Sequence, residues 1–222
     1  LGLCLLCLTC VGVAAQNAKP FVIPELKEWQ GKDGAFVPSE KTCIVYGNAA
    51  LQSIAEAFAA DWKEMFGNAL QVKAGKPQAG DFYLTLKKDK KLGKEGYAIA
   101  VAKYVTVSAP ETTGVYWATR TLLQIGEQSD NHALPHGTVR DWPDYSVRGF
   151  MMDCGRKFIP MAYMRDLVKM MSYYKMNVLQ VHLNDNGFKQ FFGHDWSKTY
   201  AAFRLECETF PGLTARDGYY TK

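Results

Sequence analysis

Three charged side chains stand just past two apolar runs, where they could do chemistry together: Asp153, Arg156 and Asp185. Asp153 and Arg156 follow a short apolar run, Gly149 to Met152. His182 lies inside a second apolar run, Val178 to Leu183, and Asp185 stands just past it between Asn184 and Asn186. Carboxylates, amides and a guanidinium gathered in this way can bind a polar ligand. Taken singly they read differently: Asp153 with Arg156 as an ion pair closing a strand end, His182 as a hydrogen-bonded core histidine.

The elements that must position them follow from the same stretch. Pro160 suits a first helical turn. Met161, Met164, Leu167, Val168 and Met171 then recur at helical spacing, a stripe expected to cover a sheet. Val178 to Leu183 is nearly continuous in apolar character, as in a strand buried on both faces. The pattern is strand, crossover helix, parallel strand, with the polar residues past the carboxyl ends of both strands. Parallel α/β sheets and barrels place ligand sites at that end.

A boundary near Asp141 separates this region from a mixed α/β region before it. There, FVIPELKEW and the Gly/Asp turn after it read as an opening strand and loop, and KTCIVYG as a short strand. Asn48 can cap a helix with Leu51, Ile54, Phe58, Trp62 and Met65 on one face. DFYLTLK alternates as a strand does. Lys87 to Lys94 is a basic loop, read first as a solvated connection rather than a polyanion patch. GYAIAVAKYVTVSA has a hairpin pattern. Thr112 or Thr113 then begins a helix carrying Val115, Ala118, Leu122 and Ile125, with Gly126 at its end. DNHALPHGTVRDWPDY, with Pro135, Gly137 and Pro143, reads as the connector. The first region holds no catalytic constellation, and its expected task is to pack against and complete a neighbour.

Composition narrows the classes. The 222 residues suffice for one large domain or two modest ones, and 48% hydrophobic content provides for a core. The net charge of +4 is spread thinly, so no nucleic-acid footprint is expected. The aromatics (12 Tyr, 12 Phe, 5 Trp) suit an ordinary core first and flat sugar rings second. Residues 1–15, LGLCLLCLTCVGVAA, read as a signal peptide truncated at its start, with cleavage expected after Ala15. Export to the periplasm or beyond is therefore expected. No lipid anchor is expected, since Cys7 and Cys10 lack the small residues that precede a lipoprotein cysteine. Cys43, Cys154 and Cys207 would remain, each read as a small buried hydrophobe. Those three form no Cys-x-x-Cys pair and the four His are scattered, so no metal site is expected.

VRGFMMDCGRKF, YYKMNVLQVHLNDN and FPGLTARDGYYTK resemble the opening of the catalytic barrel in glycoside hydrolase family 20, the β-N-acetylhexosaminidases. EGYAIAVAKYVTVSAPETTGVYWATRTLLQIG is similar to the end of the small α/β domain that precedes that barrel. The resemblance covers about Lys19 to Lys222. It implies an α/β fold: a small mixed α/β domain over residues 16–140, then the first βαβ part of a TIM (β/α)8 barrel over 141–222. Arg156 matches the Arg that hydrogen-bonds the outer hydroxyls of the nonreducing-end sugar, where a planar fork can donate to two vicinal oxygens. Asp185 matches the Asp beside that Arg. Asp153 and His182 match supporting positions at the first two strand ends. Arg148 matches an Arg at the amino end of the first strand, the stability face of a barrel. Asn186 stands where the family often has a second Asp.

By resemblance, the substrates are glycans ending in N-acetylglucosamine or N-acetylgalactosamine, and no cofactor is needed. The sugar's own 2-acetamido oxygen attacks the anomeric carbon, an Asp orients it, and an adjacent Glu protonates the leaving oxygen. No Asp-Glu dipeptide occurs in these residues. The chain is therefore expected to be an amino-terminal fragment without the catalytic pair. A carbohydrate-binding or interaction module without catalysis stays open as the other reading.

Overall fold

The computed structural model describes residues 16–185, 203–210 and 214–221. The segment expected to be a signal peptide, residues 1–15, and Asn186 lie outside the described residues. The chain divides into two compact units, one ending at Pro143 and the other beginning at Asp144.

The first unit is built from β1 (Glu28–Phe36), β2 (Cys43–Tyr46), α1 (Gln52–Phe66), β3 (Gln71–Ala74), β4 (Phe82–Leu86), β5 (Tyr97–Val101), β6 (Val105–Ala109), α2 (Thr112–Gly126) and β7 (Leu134–Asp141). Its seven strands form one sheet in the order β1-β7-β5-β6-β4-β2-β3. The β5–β6 hairpin and both partners of β7 are antiparallel, whereas β4 and β2 each pair in parallel on both sides. Asn48 accepts from the Ala50 N–H and starts a 3-10 turn that leads into α1, and Gly67 ends α1 in the left-handed region. Phe58 and Trp62 on α1 meet Phe82 on β4, with ring centroids 5.3 Å apart in both pairs. Truncating one such aromatic in a core costs about 3–5 kcal/mol.

Several expectations need correction. Met65 is exposed rather than on the buried face of α1. The opening strand begins only at Glu28 and then runs through the supposed Gly/Asp turn, with a register shift between Gly31 and Ala35. The supposed connector contains β7, an interior strand. Its alternation is real, with Leu134, Gly137, Val139 and Asp141 buried, but Gly and Asp at the inward positions disguise it. Gly137 is required there, because a Cβ would lie 2.5 Å from the Trp29 ring. The strand β3 has no counterpart among the expected elements; its pattern is mostly exposed.

Asp141 is buried because it closes a polar network. The Tyr97 hydroxyl donates to it at 2.5 Å and lies 2.6 Å from the Thr121 hydroxyl, and the Lys27 N–H donates to its other oxygen. Burial first, and then the Asp141 carboxylate, push the Tyr97 phenol well above its ordinary value.

The second unit contains β8 (Gly149–Asp153), α3 (Met161–Tyr173) and β9 (Val178–His182). The two strands pair in parallel from Gly149 opposite Val178 to Asp153 opposite His182. Among the described residues they pair only with each other, so Phe150, Met151, Val178 and Val181 are exposed rather than buried on both faces. The methionine stripe is likewise split: Met164 and Met171 are buried, while Met161 and Val168 are exposed. Cys43 and Cys154 are buried free thiols, but Cys207 is only half-buried. Among the described residues no helix is long and apolar enough to cross a membrane.

Candidate functional site

The register of β8 and β9 brings the four candidate residues together. Asp153 ends β8 directly opposite His182, which ends β9. The chain after β8 turns tightly, and the Arg156 N–H donates to Asp153 Oδ1 at 3.1 Å. That turn sends the guanidinium back over the strand ends. Its Nη1 donates to Asp153 Oδ2 at 2.6 Å and its Nη2 to Asp185 Oδ2 at 2.8 Å. His182 Nε2 lies 2.8 Å from the same Asp185 oxygen. A carboxylate oxygen can only accept, so Nε2 carries the proton. Arg156 thus spans both strand ends, and Asp185 is held from two sides.

The electrostatics agree with this arrangement. Burial raises the Asp153 carboxyl, but the Arg156 N–H and guanidinium outweigh it, and the group lies below its ordinary value. Asp153, His182 and Asp185 also offer ligand atoms within 4.8 Å of one another, a spacing open to a metal ion. The Arg156 guanidinium already supplies the positive charge to both carboxylates, which makes it the cation of this site. Arg148 lies at the other end of β8, where its side chain donates to the Lys175 and Tyr145 carbonyls.

Sequence reasoning overlooked what lies beneath the cluster. Arg204 is fully buried. Its Nε donates to the Cys154 carbonyl at 2.7 Å, its Nη2 to the Gly155 carbonyl at 3.2 Å, and its Nη1 to Asp217 and the Gly218 carbonyl. Its backbone N–H donates to the Leu183 carbonyl at 3.0 Å. Gly155 sits so close to the other strand's extension that a Cβ would lie 2.8 Å from the Asp185 backbone nitrogen. Tyr220 donates to the Ile159 carbonyl, and burial, followed by the neighbouring Cys154 thiol, pushes its phenol up to about 12. The local sequence points the other way: an Arg between Phe203 and Leu205 in an alternating stretch reads as the exposed position.

The first unit carries a separate shallow cavity of about 630 Å³ beside Arg140 and Trp142. Arg140 is already paired there with Asp89 and Glu28, and Lys90 and Lys91 line the cavity as well.

The fold and the cluster define a two-unit α/β protein whose second unit gathers a guanidinium and carboxylates at the carboxyl ends of parallel strands, as ligand-binding barrels and sheets do. Residues 19–142 match domain 2 of glycosyl hydrolase family 20, and residues 145–221 match the catalytic domain of that family. The chain belongs to glycosyl hydrolase family 20. It is 25% identical to a β-hexosaminidase of Porphyromonas gingivalis over 96% of this chain and 28% of that protein. It is 26% identical to a β-hexosaminidase of Vibrio furnissii over 90% of this chain and 30% of that protein. The chain thus spans under a third of the length of these relatives. Among solved structures, a β-N-acetylhexosaminidase from Streptomyces coelicolor superposes with a TM-score of 0.72 at 21% identity, over 92% of this chain and 43% of the other. A variant β-hexosaminidase from Streptomyces plicatus, solved in complex with product (GlcNAc), gives 0.73 at 20% identity, over 93% of this chain and 42% of the other. These two likenesses extend to the fold of both units, including the βαβ opening of a barrel.

Proposed function

We propose that these residues serve a β-N-acetylhexosaminidase that removes terminal nonreducing N-acetyl-hexosamine residues from glycans, with Arg156 and Asp185 gripping the outer hydroxyls of that sugar. The observation that carries this reading is the guanidinium held between Asp153 and Asp185 at the carboxyl ends of β8 and β9. A planar fork fixed at two of its nitrogens is oriented before a ligand arrives, so little ordering remains to be done on binding. Asp185 can accept a sugar hydroxyl proton while keeping the fork in plane. His182 fixes Asp185 in turn.

The reaction is retaining and substrate-assisted: the sugar's acetamido oxygen is the nucleophile, so no cofactor takes part. None of the 222 residues forms an Asp-Glu pair, and no acid or base role is assigned to them. Their part is to bind and orient. N-acetylglucosamine is the first substrate to test, because a structural relative was solved with GlcNAc. N-acetylgalactosamine is the second. The apolar leader at 1–15 supports export to the periplasm or the medium without a lipid anchor. A mature protein recovered there with Gln16 at its amino terminus would test that.

The central test pairs two preparations. The intact protein should hydrolyse an aryl N-acetyl-β-glucosaminide, and residues 16–222 alone should not, because general acid catalysis is by itself worth about 10²–10⁴-fold. An intact protein that binds the sugar without hydrolysing it would replace the enzyme by a binding module. Turnover by residues 16–222 above a mock preparation would overturn this division of labour between binding and catalytic residues.

A further inference from the structure

The cluster that grips the sugar is made of side chains from two strand extensions. One is Asp153 to Arg156, the other Leu183 to Asp185. The register of β8 and β9 aligns the strands only as far as Asp153 and His182. Beyond that row the Cys154 N–H still donates to the His182 carbonyl at 2.9 Å. Past this bond the ladder ends, yet Arg156 must meet Asp185 across the gap at 2.8 Å.

Arg204 closes that gap from below. Its backbone N–H holds the Leu183 carbonyl, two residues before Asp185. Its guanidinium holds the carbonyls of Cys154 and Gly155, the two residues before Arg156. Asp217 and the Gly218 carbonyl hold that guanidinium on its remaining side. One buried residue therefore ties both extensions to each other, through its guanidinium on one side and its backbone on the other. A buried charge is costly unless it is paired and hydrogen-bonded, and Arg204 is both. Packing of a core does not require such a device; an apolar side chain would fill the same space. Carbonyl acceptors immediately before a ligand-gripping Arg do require a donor array with several directions, which the guanidinium has and a Lys lacks.

We propose that Arg204, held by Asp217, is a positioning residue for the sugar grip: it sets the placement of Arg156 against Asp185 without touching the sugar. This assignment rests on the sugar-gripping role of Arg156. It differs from a structural role in one respect: the effect of Arg204 on the reaction must pass through Arg156.

The test uses the intact protein and kcat/KM on an aryl N-acetyl-β-glucosaminide, with circular dichroism and Tm recorded for each variant. Arg204→Lys keeps the charge beside Asp217 but cannot span both carbonyls, and should lower kcat/KM by about 10- to 100-fold, the scale of a misplaced positioning group. Asp217→Asn, a milder change at a partly exposed partner, should act in the same direction, and serves if Arg204→Lys does not fold. Combined with Arg156→Ala, either variant should cost less than about threefold more, because the group it positions is gone. Met171→Ala, a buried helix position of the same unit, supplies a destabilised control and should leave kcat/KM near that of the parent. Full additivity with Arg156→Ala, or unchanged kcat/KM in a folded Arg204→Lys and in Asp217→Asn, would overturn the assignment. If Arg156→Ala itself has no effect, the sugar-gripping role fails first and takes this assignment with it.

Discussion

Arg156→Lys is the sharpest single perturbation of the site, because it keeps the charge and removes the geometry. The guanidinium reaches Asp153 at 2.6 Å and Asp185 at 2.8 Å through different nitrogens. One ammonium nitrogen cannot hold both contacts at those positions, so one carboxylate loses its partner. A hydrogen bond to a charged group contributes about 1.5–3 kcal/mol. The Arg156 side chain is 34% exposed and that of Asp185 19%, so solvent screening brings the loss in folding stability to roughly 1 kcal/mol. The loss in the reaction should be larger. On the proposed reading a bound sugar would cover the site, and truncation of a covered charge pair costs about 2–5 kcal/mol. We expect kcat/KM to fall by about 2–4 kcal/mol, roughly 30- to 900-fold. Steady-state kinetics of the intact protein, alongside urea denaturation, separate the two losses. A variant within threefold of the parent in kcat/KM would refute the two-pronged grip, and one that lost activity only in proportion to unfolded protein would refute it equally.

Other expectations follow from the polar networks of both units. Since the folded structure lowers the Asp153 carboxyl, its contribution to stability is present above the ordinary carboxylate value of about 3.9 and is lost as pH falls through the folded value. Asp153→Asn should therefore flatten the acid limb of a stability-against-pH curve, and an unchanged limb would count against the pairing. The Tyr97 phenol is raised, so its contribution holds below about pH 10 and is lost as pH climbs towards the folded value. Tyr97→Phe removes a donor from buried Asp141 and should cost about 1–3 kcal/mol by denaturant titration. Brief chymotrypsin treatment should cut after Tyr145, which is 75% exposed just past the first unit, and leave that unit folded. Equal resistance of both units in a monomer would argue that the second is self-sufficient.

Where the sequence was legible, each element announced itself through its own residues. The β5–β6 hairpin and the apolar stripe of α2 could be read because apolar residues there recur at the period of the element, whereas the burial of Arg120 and Gln124 on the other faces of α2 could not. The cluster could be read because Asp153, Arg156, His182 and Asp185 all follow or end strand-like runs. β7 was hidden because its inward positions include Gly137, kept small by Trp29, and Asp141, kept polar by Tyr97. Alternation of size and polarity cannot show a strand whose buried face is made of exceptions. Arg204 inverts the usual sign altogether: Phe203 and Leu205 are 47% and 51% exposed while the Arg between them is fully buried. Only the partners, fifty residues earlier and thirteen later, make that inversion favourable, and no local window contains them.

The dependence of the cluster on Arg204 also orders events in time. Asp153, Arg156 and Asp185 leave the ribosome before the residue that fastens their backbones, and Asp217 follows later still. At about 5–20 residues per second, roughly 2.5–10 seconds separate the synthesis of Cys154 from that of Arg204. During that interval the β8–β9 pair can form, since its ladder needs only α3 between the strands, but the extensions beyond it have no fastening. A nascent chain therefore passes through a stage in which the framework exists and the grip does not. A pulse of hydrogen exchange on arrested chains of increasing length would see the amides of β9 protected first, and that of Arg204, which donates to the Leu183 carbonyl, only once residues 204–220 have emerged.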